Sequence, residues 1–174
     1  MPSIAPEATH AGTDDRETIW RLIKEAHTAL LVTVGLNGEL DSRPMGCLQT
    51  EFDDTLWFVT FRNSLKVDEI NRDDRVLVSY ARPSAAEYVS LSGKAKLVND
   101  RAMLRQLWSE GLRVWSPAGP DDPELALLAI KIDEAKYWTN APSAVSFAWT
   151  YVKAAVAGKR PAAGEVGDTE TVRF

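Results

Sequence analysis

The sequence predicts a mainly β domain: a small antiparallel barrel of about six strands, flanked by three or four helices. Three observations predict it. Strand-like runs follow one another in hairpin order, as in Leu30 to Val34 and Leu40 to Leu48 around the turn signal Asn37-Gly38. Helical patterns do not alternate with strands as βαβ units require, which disfavours a doubly wound parallel sheet. The chain has 174 residues, 45% hydrophobic and 26% charged, which suits one well-buried core rather than two.

The elements follow in order. Residues 1–13 are small and polar, with Pro2 and Pro6, and read as a flexible tail. Asp14 is a cap candidate with Glu17 as its partner, and Ile19, Trp20, Ile23 and Ala26 recur at helical spacing, which predicts a helix from Asp15 to Thr28. His27 ends it, where a partial positive charge is favoured. In the second strand Pro44 cannot donate to a ladder, so that strand is bulged or lies at an edge. Phe52-Asp53-Asp54 is a turn, and Leu56 to Thr60 a strand rich in β-formers. Asn63 or Ser64 can cap a short helix through Val67 and Ile70 to Asn71. Val76 to Tyr80 and Glu87 to Ser92 are strands, and Gly93 marks a bulge before Lys94 to Val98.

Asp100 starts a helix through Leu104, Leu107 and Trp108. Gly111 to Pro123 reads as a loop, Leu125 to Ile132 as an apolar strand, Lys136 to Thr139 as a short aromatic one, and Ser143 to Val156 as a last helix. Residues 158–174 lack periodicity and read as a second flexible tail. No repeat or low-complexity block interrupts this single domain.

Composition narrows the function. A net charge of -5 opposes general nucleic-acid binding, which needs many phosphate-neutralising cations. One cysteine, Cys47, excludes an intrachain disulfide and fits a reducing compartment; two histidines leave no His-rich zinc site. No run approaches the ~20 apolar residues of a membrane span. The N-terminus has no basic-then-apolar secretion signal, and the chain reads as cytoplasmic.

The chemistry concentrates in two segments. Ser42-Arg43-Pro44-Met45 is followed by Thr60-Phe61-Arg62-Asn63-Ser64-Leu65-Lys66. Neither G-x-G-x-x-G nor a Walker loop occurs, so a phosphate would be held by side chains and a helix start. Arg43 offers a planar fork, Lys66 a point charge, and Ser64 a hydroxyl with backbone N–H groups behind it. Each charge-assisted bond is worth roughly 1.5–3 kcal/mol. With an apolar strand alongside, a phosphorylated aromatic cofactor suits the pair of segments. From spacing alone, a set of ordinary surface polar residues is the slightly favoured reading. The acid pairs Asp53-Asp54, Asp73-Asp74 and Asp121-Asp122 sit in turns, where they serve turn formation.

These residues resemble the flavin site of the pyridoxamine 5′-phosphate oxidase-like split-barrel family. Trp57-Phe58-Val59-Thr60, Ser64-Leu65-Lys66-Val67, Asn71-Arg72-Asp73-Asp74-Arg75-Val76 and Val89-Ser90-Leu91-Ser92-Gly93-Lys94-Ala95 carry the match, which runs from about Trp20 to Tyr137. Lys136-Tyr137-Trp138-Thr139 is similar to the bacterial general stress protein branch. The resemblance implies a split barrel and a homodimer with FMN at the subunit interface; FAD or a deazaflavin is less favoured. It places Arg43 and Lys66 on the FMN phosphate with Ser64 in support, and Thr60 on the flavin or its ribityl chain. Pro44 and Met45 line the ring. Apart from the resemblance, Trp138 is a candidate to stack on the ring, with burial in the core as the alternative. Leu65 stands where the family often has a second basic residue, and Tyr88 where it often has a polar one. The C-terminal arginine and histidine that hold pyridoxal phosphate in the true oxidase have no counterpart. The implied activity is flavin-dependent oxidoreduction, or flavin buffering or sensing without rapid turnover; pyridoxamine phosphate oxidation ranks below both.

Overall fold

The computed structural model describes residues 9–139 and 168–174. Within them the chain is mainly β, with eight strands and three α-helices. Helix α1 (Thr13–Ala26) precedes the hairpin β2 (Thr28–Val34) and β3 (Leu40–Gly46). Strand β4 (Thr55–Phe61) leads into helix α2 (Leu65–Arg72). Then come β5 (Arg75–Arg82), β6 (Glu87–Val98), helix α3 (Arg101–Gln106) and the long strand β7 (Leu125–Thr139). Two short strands complete the set: β1 (Thr9–His10) and β8 (Asp168–Arg173).

The sheet runs β1-β8-β7-β6-β5-β2-β3, with β4 paired to β7 off this path. All neighbours are antiparallel except β1 with β8. One edge of β7 is shared: β4 takes Leu125 to Lys131 and β8 takes Glu134 to Thr139. Among the described residues β3 pairs only with β2 and β4 only with β7, so each keeps a free edge there and the barrel is split between them.

Burial explains the strands. In β7 the first six residues are all buried, because a core lies on each face; from Lys131 onward the pattern alternates. Inside the barrel, Leu31, Phe58, Tyr80, Leu91 and Ile130 pack with Ile19 and Ile23 of α1. Outside β4 and β7, Leu104 and Leu107 cover Leu125 and Leu127, flanked by Trp57, Val59 and Phe61. Each large apolar side chain buried this way contributes roughly 1.5–3 kcal/mol. Helix α1 is also tied by polar contacts: the Tyr137 hydroxyl donates to Asp15 at 2.8 Å, and Arg16 forms a fork on Asp54 at 2.8 and 2.9 Å.

Several expectations need correction. Residues read as tails hold β1 and β8; this pairing is long-range, and Thr171 and Val172 are buried only because β7 lies beside them. Helix α1 starts earlier than expected: Gly12 is its N-cap, and the Asp15 carboxylate accepts from the Gly12 N–H at 2.9 Å. Leu125 to Thr139 is one strand, not two, because Asp133 and Glu134 merely face outward or half outward within it. The expected loop after Trp108 contains a helical turn, Glu110–Val114. The expected helix over 143–156 lies outside the described residues.

The irregularity expected at Gly93 is present in the β6–β7 ladder: the register shifts between Ser92 and Gly93, and the extra residue, Asp133, lies on β7. A Cβ on Gly93 would sit 2.1 Å from the Lys131 carbonyl oxygen. That neighbour is backbone and cannot rotate away. Gly93→Ala should therefore cost about 1–3 kcal/mol or more, read as a lower urea midpoint with an unchanged slope.

Candidate functional site

A cavity of about 430 Å³ opens in the split between β3 and β4. Arg43, Pro44 and Met45 reach it from β3, Val59 and Thr60 from β4, and Lys66 from α2. The segment after α3 closes the other side with Trp108, Leu112 and Trp115. A volume in the few-hundred Å³ range, an apolar lining and a few convergent polar groups describe a small-molecule site.

Two chain features mark the edges of the split. Pro44 sits in the edge strand β3, whose pairing with β2 is continuous through Leu30 and Pro44. On β4, the ladder to β7 is made by alternate residues: Arg62 N–H donates to Glu124 and Ile132 N–H to Asp54. Trp57, Val59 and Phe61 therefore turn their backbone groups to the free edge. Buried Gln49 satisfies the first of these, accepting from the Trp57 N–H at 2.8 Å. Its amide also donates to the Thr55 carbonyl at 3.0 Å, pinning the loop between β3 and β4. Val59 is left with an N–H and a carbonyl beside the cavity.

The polar end is built by a tight local turn. Lys66 donates to Thr60 Oγ1 and Ser64 Oγ, both at 3.2 Å. The Ser64 hydroxyl donates to the Phe61 carbonyl at 2.8 Å, and is the N-cap residue of α2 without capping it through its side chain. Among the described residues no carboxylate lies within ion-pair distance of Lys66. Its ammonium is half-desolvated: burial first, then the positive charge of Arg43, pull it below the usual lysine range, and Glu69 partly opposes this. An ammonium with hydroxyl partners and no counter-ion is a ready anion site.

Arg43 differs from the sequence expectation of a free fork. Its guanidinium donates to Thr33 Oγ1, to Asp41 at 2.8 Å and to Glu69 at 2.9 Å. Thr33 in turn donates to the same Glu69 oxygen at 2.7 Å. The Glu69 side chain is 2% exposed and that of Arg43 17%. Burial of this carboxylate is tolerated because both donors satisfy it. Glu69 thus fixes where Arg43 can present its remaining surface to the cavity.

Of the residues expected at the cofactor, Arg43, Pro44, Met45, Thr60 and Lys66 line this cavity, and Ser64 is hydrogen-bonded to Lys66. Trp138 is elsewhere: it lies near the far end of β7 from Leu125, opposite Tyr88 and Thr169. Cys47 is half-buried, and burial pushes its thiol up, as befits a small core side chain. Sequence reasoning missed Glu69 and the Trp108–Trp115 wall. A signal for Glu69 existed in its spacing, three residues after Lys66 on one helical face.

Residues 14–162 match the family described as pyridoxamine 5′-phosphate oxidase like. The chain belongs to that family. It is 30% identical over 99 residues to general stress protein 26 of Bacillus subtilis, covering 54% of this chain and 70% of that protein. It is 27% identical over 131 residues to protein bli-3 of Neurospora crassa, covering 70% of this chain but only 63% of the fungal protein's length. Among solved structures, the general stress FMN/FAD binding protein from Xanthomonas citri superposes with a TM-score of 0.65 at 27% identity, over 76% of this chain and 93% of that one. The free-edged sheet is thus the split barrel of this family.

Proposed function

We propose that this chain is an FMN-binding protein of the general stress type, with the flavin in the cleft between β3 and β4. The observation that carries the reading is Lys66, a half-desolvated ammonium with Thr60 and Ser64 beside it and no counter-ion among the described residues. Lys66, Ser64 and Arg43 would hold the phosphate. Pro44, Met45 and the indoles of Trp108 and Trp115 offer apolar surface for a ring, and the Val59 backbone offers a donor and an acceptor. The relative from Xanthomonas citri is described as binding FMN or FAD, which supports the cofactor class.

Bound flavin would supply the redox chemistry. The chain's part is to bind, orient and exclude water. Arg43 and Lys66 are the only ionisable groups lining the cavity among the described residues, so no general acid or base stands beside a substrate position. This favours flavin storage or sensing over rapid turnover, with oxidoreduction of a small molecule as the active alternative. The purified protein should be yellow, and the released chromophore should have the mass of FMN. A colourless protein that takes up no flavin would overturn the reading.

We further propose that the working unit is a homodimer in the cytoplasm. Leu30, Leu77 and Tyr88 are each more than a third exposed on the outward face of β2, β5 and β6. Cross-strand pairs extend this face from Pro44, beside Leu30, to Trp138, beside Tyr88. A second copy seated there would reach the cleft rim at Pro44 and bring its own Trp138 near it. Sedimentation equilibrium should report twice the 19.2 kDa protomer; a monomer that holds FMN tightly would contradict this.

Pyridoxamine phosphate turnover is not expected. Both cavity cations are assigned to the flavin phosphate, so a second phosphate would lack charge-assisted partners. FMN-loaded protein incubated with pyridoxamine phosphate and oxygen should form no pyridoxal phosphate beyond a single equivalent.

A further inference from the structure

A second cavity, of about 350 Å³, lies on the outer face of the barrel where the cover of α3 ends. It is lined by Lys94 and Lys96 of β6, Ala129 and Lys131 of β7, and Trp57 of β4, with Asp74 at its rim. The register places these residues in two rows. Lys94 stands opposite Lys131, and Lys131 opposite Thr55; Lys96 stands opposite Ala129, and Ala129 opposite Trp57.

Directly opposed like charges on neighbouring strands are destabilising. The Lys94–Lys131 pair is such a case, and the adjacent irregularity at Gly93 brings β6 unusually close to the Lys131 backbone. Among the described residues, none of the three lysines has an ion-pair or hydrogen-bond partner, although Asp74 shares the cavity. The small Ala129 leaves depth between Lys96 and the half-buried Trp57 indole. Three unneutralised ammonium groups beside an aromatic wall suit a ligand with a phosphate group and a planar ring.

We propose that this cleft binds a nucleoside phosphate, its phosphates on Lys94, Lys96 and Lys131 and its base on Trp57. The site is separate from the flavin cleft and does not depend on the flavin reading.

The test is calorimetric titration of FMN-saturated protein, or of the protein as purified if it takes up no flavin, with ADP, adenosine and pyrophosphate. ADP should bind saturably. Adenosine and pyrophosphate should each bind about tenfold more weakly, since each keeps only half of the recognition. Lys94→Ser and Lys131→Ser should each weaken ADP by about tenfold while leaving FMN affinity and sedimentation unchanged. No saturable ADP binding would overturn the proposal. So would ADP binding that survives both substitutions, or that is lost in Lys66→Ala instead, which would place ADP in the flavin cleft. A change of oligomeric state in either serine variant would make this face a subunit interface and would equally overturn it.

Discussion

Lys66→Ala should weaken FMN binding by about ten- to a hundredfold, the loss of one charge-assisted contact of roughly 1.5–3 kcal/mol. Riboflavin, which lacks the phosphate, should bind more weakly than FMN to the wild type and lose little in the variant. The same residue gives a pH signature. Because burial and Arg43 hold the Lys66 ammonium below the usual lysine range, FMN affinity should fall with rising pH earlier than an ordinary lysine would dictate. The ligand-free fold behaves oppositely. Between the depressed folded pKa and the ordinary unfolded one, the unfolded chain holds the extra proton, so stability rises with pH across that window. Below the window the buried charge is a constant cost. Lys66→Met should therefore stabilise the flavin-free protein at neutral pH while it weakens FMN, a trade of stability against function. Thermal unfolding of the flavin-free protein, run beside the titration, separates the two effects.

The largest stability effect is expected at Glu69. Removing this carboxylate leaves Thr33 without its acceptor and the mostly buried Arg43 guanidinium with only the exposed Asp41 as a charge partner among the described residues. Breaking one side of a buried ion pair costs about 3–5 kcal/mol, so Glu69→Ala should shift the urea midpoint strongly. Glu69→Gln keeps an acceptor and should lose less. The double variant Arg43→Met with Glu69→Leu should recover much of the loss, because no unpaired charge remains buried. A double variant no more stable than Glu69→Ala would show that the loss does not come from stranding the Arg43 charge. FMN affinity in Glu69→Gln reports whether Arg43 depends on Glu69 for its orientation.

What was legible in the sequence was local. Thr60, Ser64 and Lys66 lie within one strand end and one helical turn, so their convergence follows from chain geometry. Arg43, Pro44 and Met45 were legible because proline marks an edge, and an edge is where a split barrel can admit a ligand. The irregularity at Gly93 was legible as a glycine inside a strand pattern. The contacts that escaped are long-range. Glu69 meets Thr33 and Arg43 across 36 and 26 residues. β8 is a short polar run that becomes a strand only against β7. Trp108 was read within the helix begun at Asp100, with nothing to point it to the cleft, and Trp115 reaches the cleft through a helical turn that reads as loop. Trp138 shows the limit from the other side: its motif was recognisable, yet it stands apart from the cleft.

The most direct test of the flavin assignment is a paired fluorescence-quench titration of the flavin-free wild type with FMN and with riboflavin. The cleft geometry predicts that FMN binds about ten- to a hundredfold more tightly, since only FMN carries an anion for Lys66, Ser64 and Arg43. Equal affinities for the two flavins, or no saturable binding of either, would contradict the assignment of this cleft as a flavin phosphate site.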